Sequence, residues 1–497
     1  MADQTQTNEN RTVTLKIDGV EYTVPASWSL IQACHNHGIT VPHYCYHEDL
    51  SVAGNCRMCL VQIAGMPKPV IACGTPVNEG MEVDTLSPAV EREREAMMEF
   101  LLINHPLDCP ECDQAGECRL QDYSYEYGRD QGRFQEDKVI RRKSTLGPHV
   151  KYWGSRCIVC TRCVRFTDEV SGTGELSVAN RGDHSEIVVF PGQPLDNPLS
   201  MNTVDVCPVG ALVSSDFLYR SRVWDMSSKD SICASCSIGC NTRVDSDKQN
   251  QIKRVKPRRN NAVNKEWMCD FGRLDFEYAY TDKRLNLCRT RETPDARWRE
   301  MPWNAAFKVI AERIFDEDTV YLVSYWNTTE LFERVADELN QVSGARIAGF
   351  GKAQIDDQVF PGFTISGDKN PNRTGFDEIF ANSAVNLSDL AGESDRIKNL
   401  VVVSNVPDFA LTEELRAILD RSDRTTVLDF YESEFVQHAS VDLSVATLTH
   451  FEKAGSFLNR QGMRQHFKAA IEPVSFGRST MEIIDRVKEL KVPARQS

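Results

Sequence analysis

The stretch HPLDCPECDQAGEC, residues 105–118, sets His105, Cys109, Cys112 and Cys118 at the spacing H-x3-C-x2-C-x5-C. Three cysteines this close are candidate thiolate ligands, and a closed metal site needs a fourth donor. The cysteines on either side, Cys73 and Cys157, fall into groups of their own. His105 is therefore read as the fourth ligand, against the plainer alternative of a capping or solvated histidine. Imidazole is neutral where thiolate is negative, so a histidine ligand raises the potential of a cluster that it helps to hold.

Three further groups surround this one. Cys45, Cys56, Cys59 and Cys73 follow C-x10-C-x2-C-x13-C. A loop of cysteines plus one distant cysteine is the 2Fe–2S ferredoxin arrangement, although the first gap is longer than the plant-type x4. Gly54, in GNCRMC, stands where the backbone has to turn tightly around inorganic sulfide. Cys157, Cys160 and Cys163 in CIVCTRC, closed by Cys207 in CPVG, give the bacterial ferredoxin pattern of a 4Fe–4S site. A two-cluster ferredoxin would carry another cysteine four residues after Cys163, and that position is Thr167, so one cluster is expected there. Cys233, Cys236, Cys240 and Cys269, spaced C-x2-C-x3-C-x28-C, suit a further 4Fe–4S site. Structural zinc is the alternative in each case, but it favours paired CxxC knuckles. Cys34 and Cys288 are left over and read as structural thiols.

The elements needed to carry these groups can be read from periodicity. Residues 12–24, TVTLKIDGVEYTV, alternate apolar and polar around Asp-Gly, a hairpin signal. SLIQACHNHG reads as a short helix ending at Gly38, and PAVEREREAMMEFLLIN as a helix that delivers the chain to His105. RVDSDKQNQIKRVKP reads as a hairpin within the fourth group. After about residue 300, apolar runs at 319–325, 399–405 and 425–430 alternate with amphipathic helices, the rhythm of a mostly parallel α/β sheet.

Composition narrows the function class. The 497 residues are 41% hydrophobic and 26% charged, ordinary for a globular chain of several domains. A net charge of −15 argues against a nucleic-acid partner. The first residues, MADQTQTNEN, show no export signal, and no apolar run reaches the ~18 residues of a membrane span. A reducing compartment is expected, where clustered cysteines bind metal rather than pair as disulfides. GFGKAQ at 349–354 is too short for a nucleotide fingerprint and has no acidic partner at the usual offset. No nucleophile–base constellation or carboxylate pair stands above background, so no independent catalytic residue is expected.

The order of these motifs resembles the large iron–sulfur subunit of respiratory complex I. The resemblance covers the whole chain, is most specific over residues 12–285, and is looser beyond. There ISGDKNPNRTG at 365–375 and FEKAGSFLNRQGMRQ at 451–465 look like the molybdopterin-oxidoreductase fold. It implies a multidomain α+β and α/β chain. A 2Fe–2S β-grasp domain would occupy 10–88, a His/Cys 4Fe–4S domain 89–150 and a ferredoxin-type 4Fe–4S domain 151–228. A second 4Fe–4S domain at 229–285 and a truncated molybdopterin-oxidoreductase-like domain at 286–497 would complete it.

The function implied is electron relay from a flavin subunit that oxidises NADH towards quinone. The cofactors would be one 2Fe–2S and three 4Fe–4S clusters, with the fourth group off the main path. The partners would be the flavin subunit and other peripheral-arm subunits, on the cytoplasmic side of the inner membrane and without membrane insertion. An iron–sulfur subunit of an NAD-linked hydrogenase or of a formate dehydrogenase is the alternative. No molybdopterin is expected. Catalytic relatives carry a lysine just after the fourth cysteine of the last group, whereas CDFGRLDF here offers first Arg273, read as a surface or helix-start residue.

Overall fold

The computed structural model describes residues 11–314, 316–339 and 342–491, and the chain divides into two compact units. The first holds residues up to Asp225 together with Phe360–Gly362; the second holds the rest.

The first unit opens with a five-stranded mixed sheet in the order β2-β1-β5-β3-β4. Its strands are β1 (Thr12–Ile17), β2 (Val20–Pro25), β3 (Leu60–Ile63), β4 (Val70–Ile71) and β5 (Glu82–Asp84). The β1–β2 hairpin turns on Asp18 (φ 51°) and Gly19 (φ 80°), two successive left-handed residues, which is why Asp-Gly fits there. Helix α1 (Leu30–Asn36) begins at a Ser29/Gln32 capping box and buries Leu30, Ile31 and Ala33 against the sheet. The central β1/β5 pair is parallel, completing the expected β-grasp.

Helix α2 (Pro88–Leu102) starts at Ser87, whose hydroxyl accepts from Val90 N, with Pro88 in the first turn. It ends three residues before His105, as the pattern predicts. Helix α3 (Arg119–Tyr127) follows, and then a three-stranded sheet of β6 (Lys143–Thr145), β7 (Val150–Trp153) and β10 (Leu212–Ser214). Between β7 and β10 lie α4 (Arg162–Glu169), the hairpin β8 (Leu176–Ala179) and β9 (Glu186–Val189), and α5 (Asn202–Val206).

The second unit begins at β11 (Met226–Ile232), which pairs along its length with β12 (Asn241–Asp247); β12 pairs in turn with β13 (Ile252–Pro257). The expected hairpin is therefore two strands of a three-stranded antiparallel sheet. Short α6 (Asp270–Leu274) follows Cys269.

The α/β part is a seven-stranded sheet in the order β15-β14-β22-β21-β20-β16-β17. The strands are β14 (Cys288–Thr290), β15 (Arg299–Met301), β16 (Val320–Ser324), β17 (Arg346–Phe350), β20 (Leu400–Val403), β21 (Thr425–Asp429) and β22 (Val441–Ala446); a small hairpin, β18 (Gln358–Val359) with β19 (Thr364–Ile365), lies between. The five strands from β17 to β22 are parallel, and β14 and β15 join antiparallel. Val320, Leu322, Leu400 and Val402 enter one core, and Tyr321, Val323, Val401 and Val403 the other. Burial on both faces explains why these strands read as continuous apolar runs. Helices α7 (Trp303–Ala311) and α8 (Thr329–Leu339) cover one face, and α9 (Glu413–Asp420) covers the other. Among the described residues, no helix is long and apolar enough to cross a membrane.

Candidate metal centres

Four groups of donor side chains are each gathered by loops between these elements. Cys45 lies beyond α1, Cys56 and Cys59 lead into β3, and Cys73 sits in the turn after β4. All four are buried, and their thiols interact directly, Cys45 with Cys56 and Cys73, and Cys59 with Cys73. Hydrogen bonds from Cys56 and Cys73 pull the Cys45 thiol far down; the same bonds push Cys56 and Cys73 up. Backbone N–H groups of Asn55 and Cys56 also aim at Cys45. Gly54 has φ 64°, the left-handed turn expected of it, and Arg57 follows at φ 56°.

In the second group α2 sets His105, and Cys118 caps the start of α3. His105, Cys109 and Cys118 line one cavity of about 500 Å³, and Cys112 is close enough to raise the Cys118 thiol. His105 Nδ1 is buried without a hydrogen-bond partner among the described residues, and burial lowers its pKa to about 4. The ring is therefore neutral and carries an unused buried nitrogen. Burial raises Cys118 to about 11 and Cys112 in the same direction. A Cβ on Gly210 would stand 2.1 Å from Cys112 Sγ, so only glycine lets this backbone approach the sulfur.

Cys157, Cys160, Cys163 and Cys207 together line a small apolar cavity with Ile187 and Val209. Burial pushes Cys157, Cys160 and Cys207 up to about 11, and Cys163 further. The loop between Cys157 and Cys163 winds tightly enough to put Val159 (φ 50°) and Thr161 (φ 62°) in the left-handed region, costly for β-branched residues. Thr167 is buried in α4 and donates its hydroxyl to Val164 O.

In the fourth group Cys233 N bonds Cys240 O at 2.8 Å, which folds that loop back on itself. Cys269 caps α6, with Gly272 N 3.4 Å from its sulfur. Burial raises all four thiols, Cys269 to about 11, and the negative charge of Cys236 adds to Cys233 and Cys269. Arg273 differs from expectation. It is buried in α6 and donates to Val255 O, because the helix packs against β13. Cys34 and Cys288 are buried in apolar cores, Cys34 in the core that also takes in Cys59 and Cys73 of the first group.

In the second to fourth groups burial disfavours isolated thiolates, and in the first the thiols share protons among themselves; both donor chemistries fit clusters that would take the protons' place. Sequence reading missed the groups that tie these loops together. Arg165 donates to Cys45 O and Cys160 O, Arg162 to Tyr46 O and Val206 O, and Asn55 to Val159 O. Arg119, next to Cys118, bonds His43 Nε2 at 3.1 Å, two residues before Cys45. Cys45, Cys56, Cys118, Cys160, Cys163 and Cys207 share one buried cluster with Tyr44 and Tyr123. The arginines beside ligand cysteines in CTRCVRF were the available signal.

The fold and these groups define an iron–sulfur protein of ferredoxin-type modules. Four family models match in series. A 2Fe–2S iron–sulfur cluster binding domain covers 10–88, and an NADH-ubiquinone oxidoreductase-G iron–sulfur binding region covers 94–133. A ferredoxin-like domain of NADH-quinone oxidoreductase subunit 3 covers 147–213, and an NDSU1/NuoG-like 4Fe–4S domain of NADH-ubiquinone oxidoreductase covers 226–277.

The chain is similar to the large iron–sulfur subunit of NADH–quinone oxidoreductase, which bears out the resemblance read from its cysteine order. It is 42% identical over 302 residues to the G subunit of the NADH-quinone oxidoreductase of Rickettsia felis, covering 61% of this chain and 44% of the relative. It is 40% identical over 343 residues to the mitochondrial NADH dehydrogenase [ubiquinone] iron-sulfur protein 1 of Solanum tuberosum (68% and 46% covered). To the mitochondrial NADH-ubiquinone oxidoreductase 78 kDa subunit of Neurospora crassa it is 44% identical over 301 residues (60% and 40% covered). The matches thus span less than half the length of these relatives.

Proposed function

We propose that the chain is an iron–sulfur electron-relay subunit of a complex I-type NADH–quinone oxidoreductase, passing electrons from an NADH/flavin subunit towards quinone. In this reading Cys45, Cys56, Cys59 and Cys73 hold a 2Fe–2S cluster. His105, Cys109, Cys112 and Cys118 hold a 4Fe–4S cluster, as do Cys157, Cys160, Cys163 and Cys207, and Cys233, Cys236, Cys240 and Cys269. When bound, such clusters supply one-electron transfer at potentials set by ligand charge, hydrogen bonds and burial.

The observation that carries the reading is the shared core of the first three groups, where six ligand cysteines lie in one buried cluster. The chain's residues exclude water from that core, and Arg162 and Arg165 fix the first loop against the third. The relatives' names, subunits of NADH–quinone oxidoreductases, support membership of such a complex; in this reading the chain assembles with the flavin subunit and other peripheral-arm subunits, on the cytoplasmic side of the inner membrane. The α/β part of the second unit is read as a molybdopterin-oxidoreductase-like domain without pterin, serving to pack against neighbouring subunits.

Iron and acid-labile sulfide analysis of anaerobically reconstituted protein tests the reading. About 14 irons per chain are expected from one 2Fe–2S and three 4Fe–4S clusters. A metal content dominated by zinc would sink it.

A further inference from the structure

Arg156 sits between the second and third groups, one residue before Cys157, and is 1% exposed. Its Nε donates to Asp108 Oδ2 at 2.8 Å, one residue before Cys109. Its guanidinium carbon lies 5.4 Å from the centre of the Trp153 ring, a platform that restricts its orientation. Its two terminal amino groups, Nη1 and Nη2, are buried and have no acceptor among the described residues.

Leaving two charged donors unmatched is costly at such a site, and bulk solvent does not reach them at this exposure. The side chain is also held beside the second group. The point that a Cβ on Gly210 would occupy is 2.1 Å from Cys112 Sγ and 3.9 Å from Arg156 Cδ. The bare Gly210 backbone therefore lets the sulfur and the arginine share one small space.

We infer that Arg156 is a positioning and tuning residue of the His105/Cys109/Cys112/Cys118 centre, its two free amino groups donating hydrogen bonds to the sulfur atoms of the cluster bound there. This rests on the ligand reading above and deepens it. A donor cation stabilises the added negative charge of the reduced centre, so Arg156 raises its potential, in the same direction as the neutral His105 ligand. Asp108 anchors the guanidinium and partly offsets its charge.

The test is an EPR-monitored redox titration of the cluster-loaded full chain or assembled complex, with iron measured on each sample. The signal of this centre is first identified as the one that His105→Ala removes or weakens. Arg156→Met should keep the iron and lower the midpoint of that signal alone, changing the reduced-to-oxidised ratio at fixed potential about tenfold, or ~59 mV. Arg156→Lys, which keeps the charge and loses the fork, should fall between. Asp108→Asn should shift the midpoint upward, a sign that general damage to the site would not produce. If Arg156→Met fails to fold, the lysine variant and Asp108→Asn decide the matter by magnitude and sign. An unchanged midpoint with the cluster retained, or equal shifts at every centre, overturns the inference and leaves the ligand reading standing. Absence in the wild type of any tetranuclear signal that depends on His105 overturns both.

Discussion

Arg165, on α4 of the third cysteine group, donates through Nη2 to the carbonyl oxygen of Cys45 in the first group at 2.6 Å. The same nitrogen reaches Cys160 O at 3.3 Å, and Nη1 bonds Ser51 O. One buried guanidinium thus joins the backbones of two candidate centres. Arg165→Met should cost about 2–4 kcal/mol, because three carbonyls lose a charged donor inside the core. Arg165→Lys should recover part of this. Denaturant unfolding of the cluster-loaded protein gives the stability change. The spin-relaxation behaviour of the 2Fe–2S EPR signal reports whether its neighbour has moved, and unchanged values in both would dismiss the joining role.

Gly210→Ala places a methyl group 2.1 Å from Cys112 Sγ, a separation that no side-chain adjustment on the alanine can relieve. The protein should load about four irons fewer than the wild type, with the loss confined to the His105 group. Iron and sulfide content, together with EPR of the remaining signals, measures it. Full loading of the alanine variant would show that the loop can retreat.

His105→Cys should retain a tetranuclear cluster and lower its potential, since an anionic ligand replaces a neutral one. His105→Ala should lose or weaken that cluster while sparing the other three. If His105→Ala leaves every EPR signal unchanged, His105 is only a structural residue.

Asp429, at the end of β21, is fully buried, and burial raises its carboxyl from 3.8 to about 7. Its oxygens accept from Phe430 N and Ser433 Oγ, both at 2.8 Å. The folded state then holds a proton that the unfolded chain gives up near pH 4. This group's contribution is complete below pH 4, declines as pH rises to about 7, and is flat above. At about 1.4 kcal/mol per unit the decline amounts to a few kcal/mol. Asp429→Asn should flatten that part of the stability profile, read as unfolding midpoints at pH 5 and pH 8 for both proteins. A wild-type profile parallel to the variant's would refute the assignment.

The second unit is expected to bind no functional molybdenum or tungsten cofactor. If the second unit has the proposed molybdopterin-oxidoreductase-like fold, whose catalytic members carry a lysine just after the fourth cysteine, the first basic residue after Cys269 here is Arg273, buried with its guanidinium on Val255 O. Arginine is a poor stand-in for lysine at a tuned position. Elemental analysis of the isolated complex and a formate-oxidation assay check this, and stoichiometric metal would move the chain to the catalytic class.

Much of this protein was legible because its information is local. The close cysteine pairs and triplets sit in short loops, so the four candidate groups could be proposed without coordinates, each then completed by a more remote donor or by His105. Asp18-Gly19, the Ser29 cap and Ser87-Pro88 act within a few residues of themselves, which is why the hairpin, α1 and α2 lie where the sequence puts them. The alternation of apolar strands and amphipathic helices likewise gave the parallel sheet. Tertiary structure decided what lies between the groups. Nothing in the local pattern singles out Arg156, Arg162 and Arg165 as buried, and they are buried because residues about 50 to 120 positions away supply the carbonyls and carboxylate that receive them. Arg273 changed from surface to core for the same kind of reason, through packing of α6 on β13. The approach of Gly210 to Cys112 could not be read either, since glycine marks only that room was left and not what fills it. The candidate ligands are picked out by spacing along the chain, whereas the fields and contacts acting on them come from segments that only folding brings together.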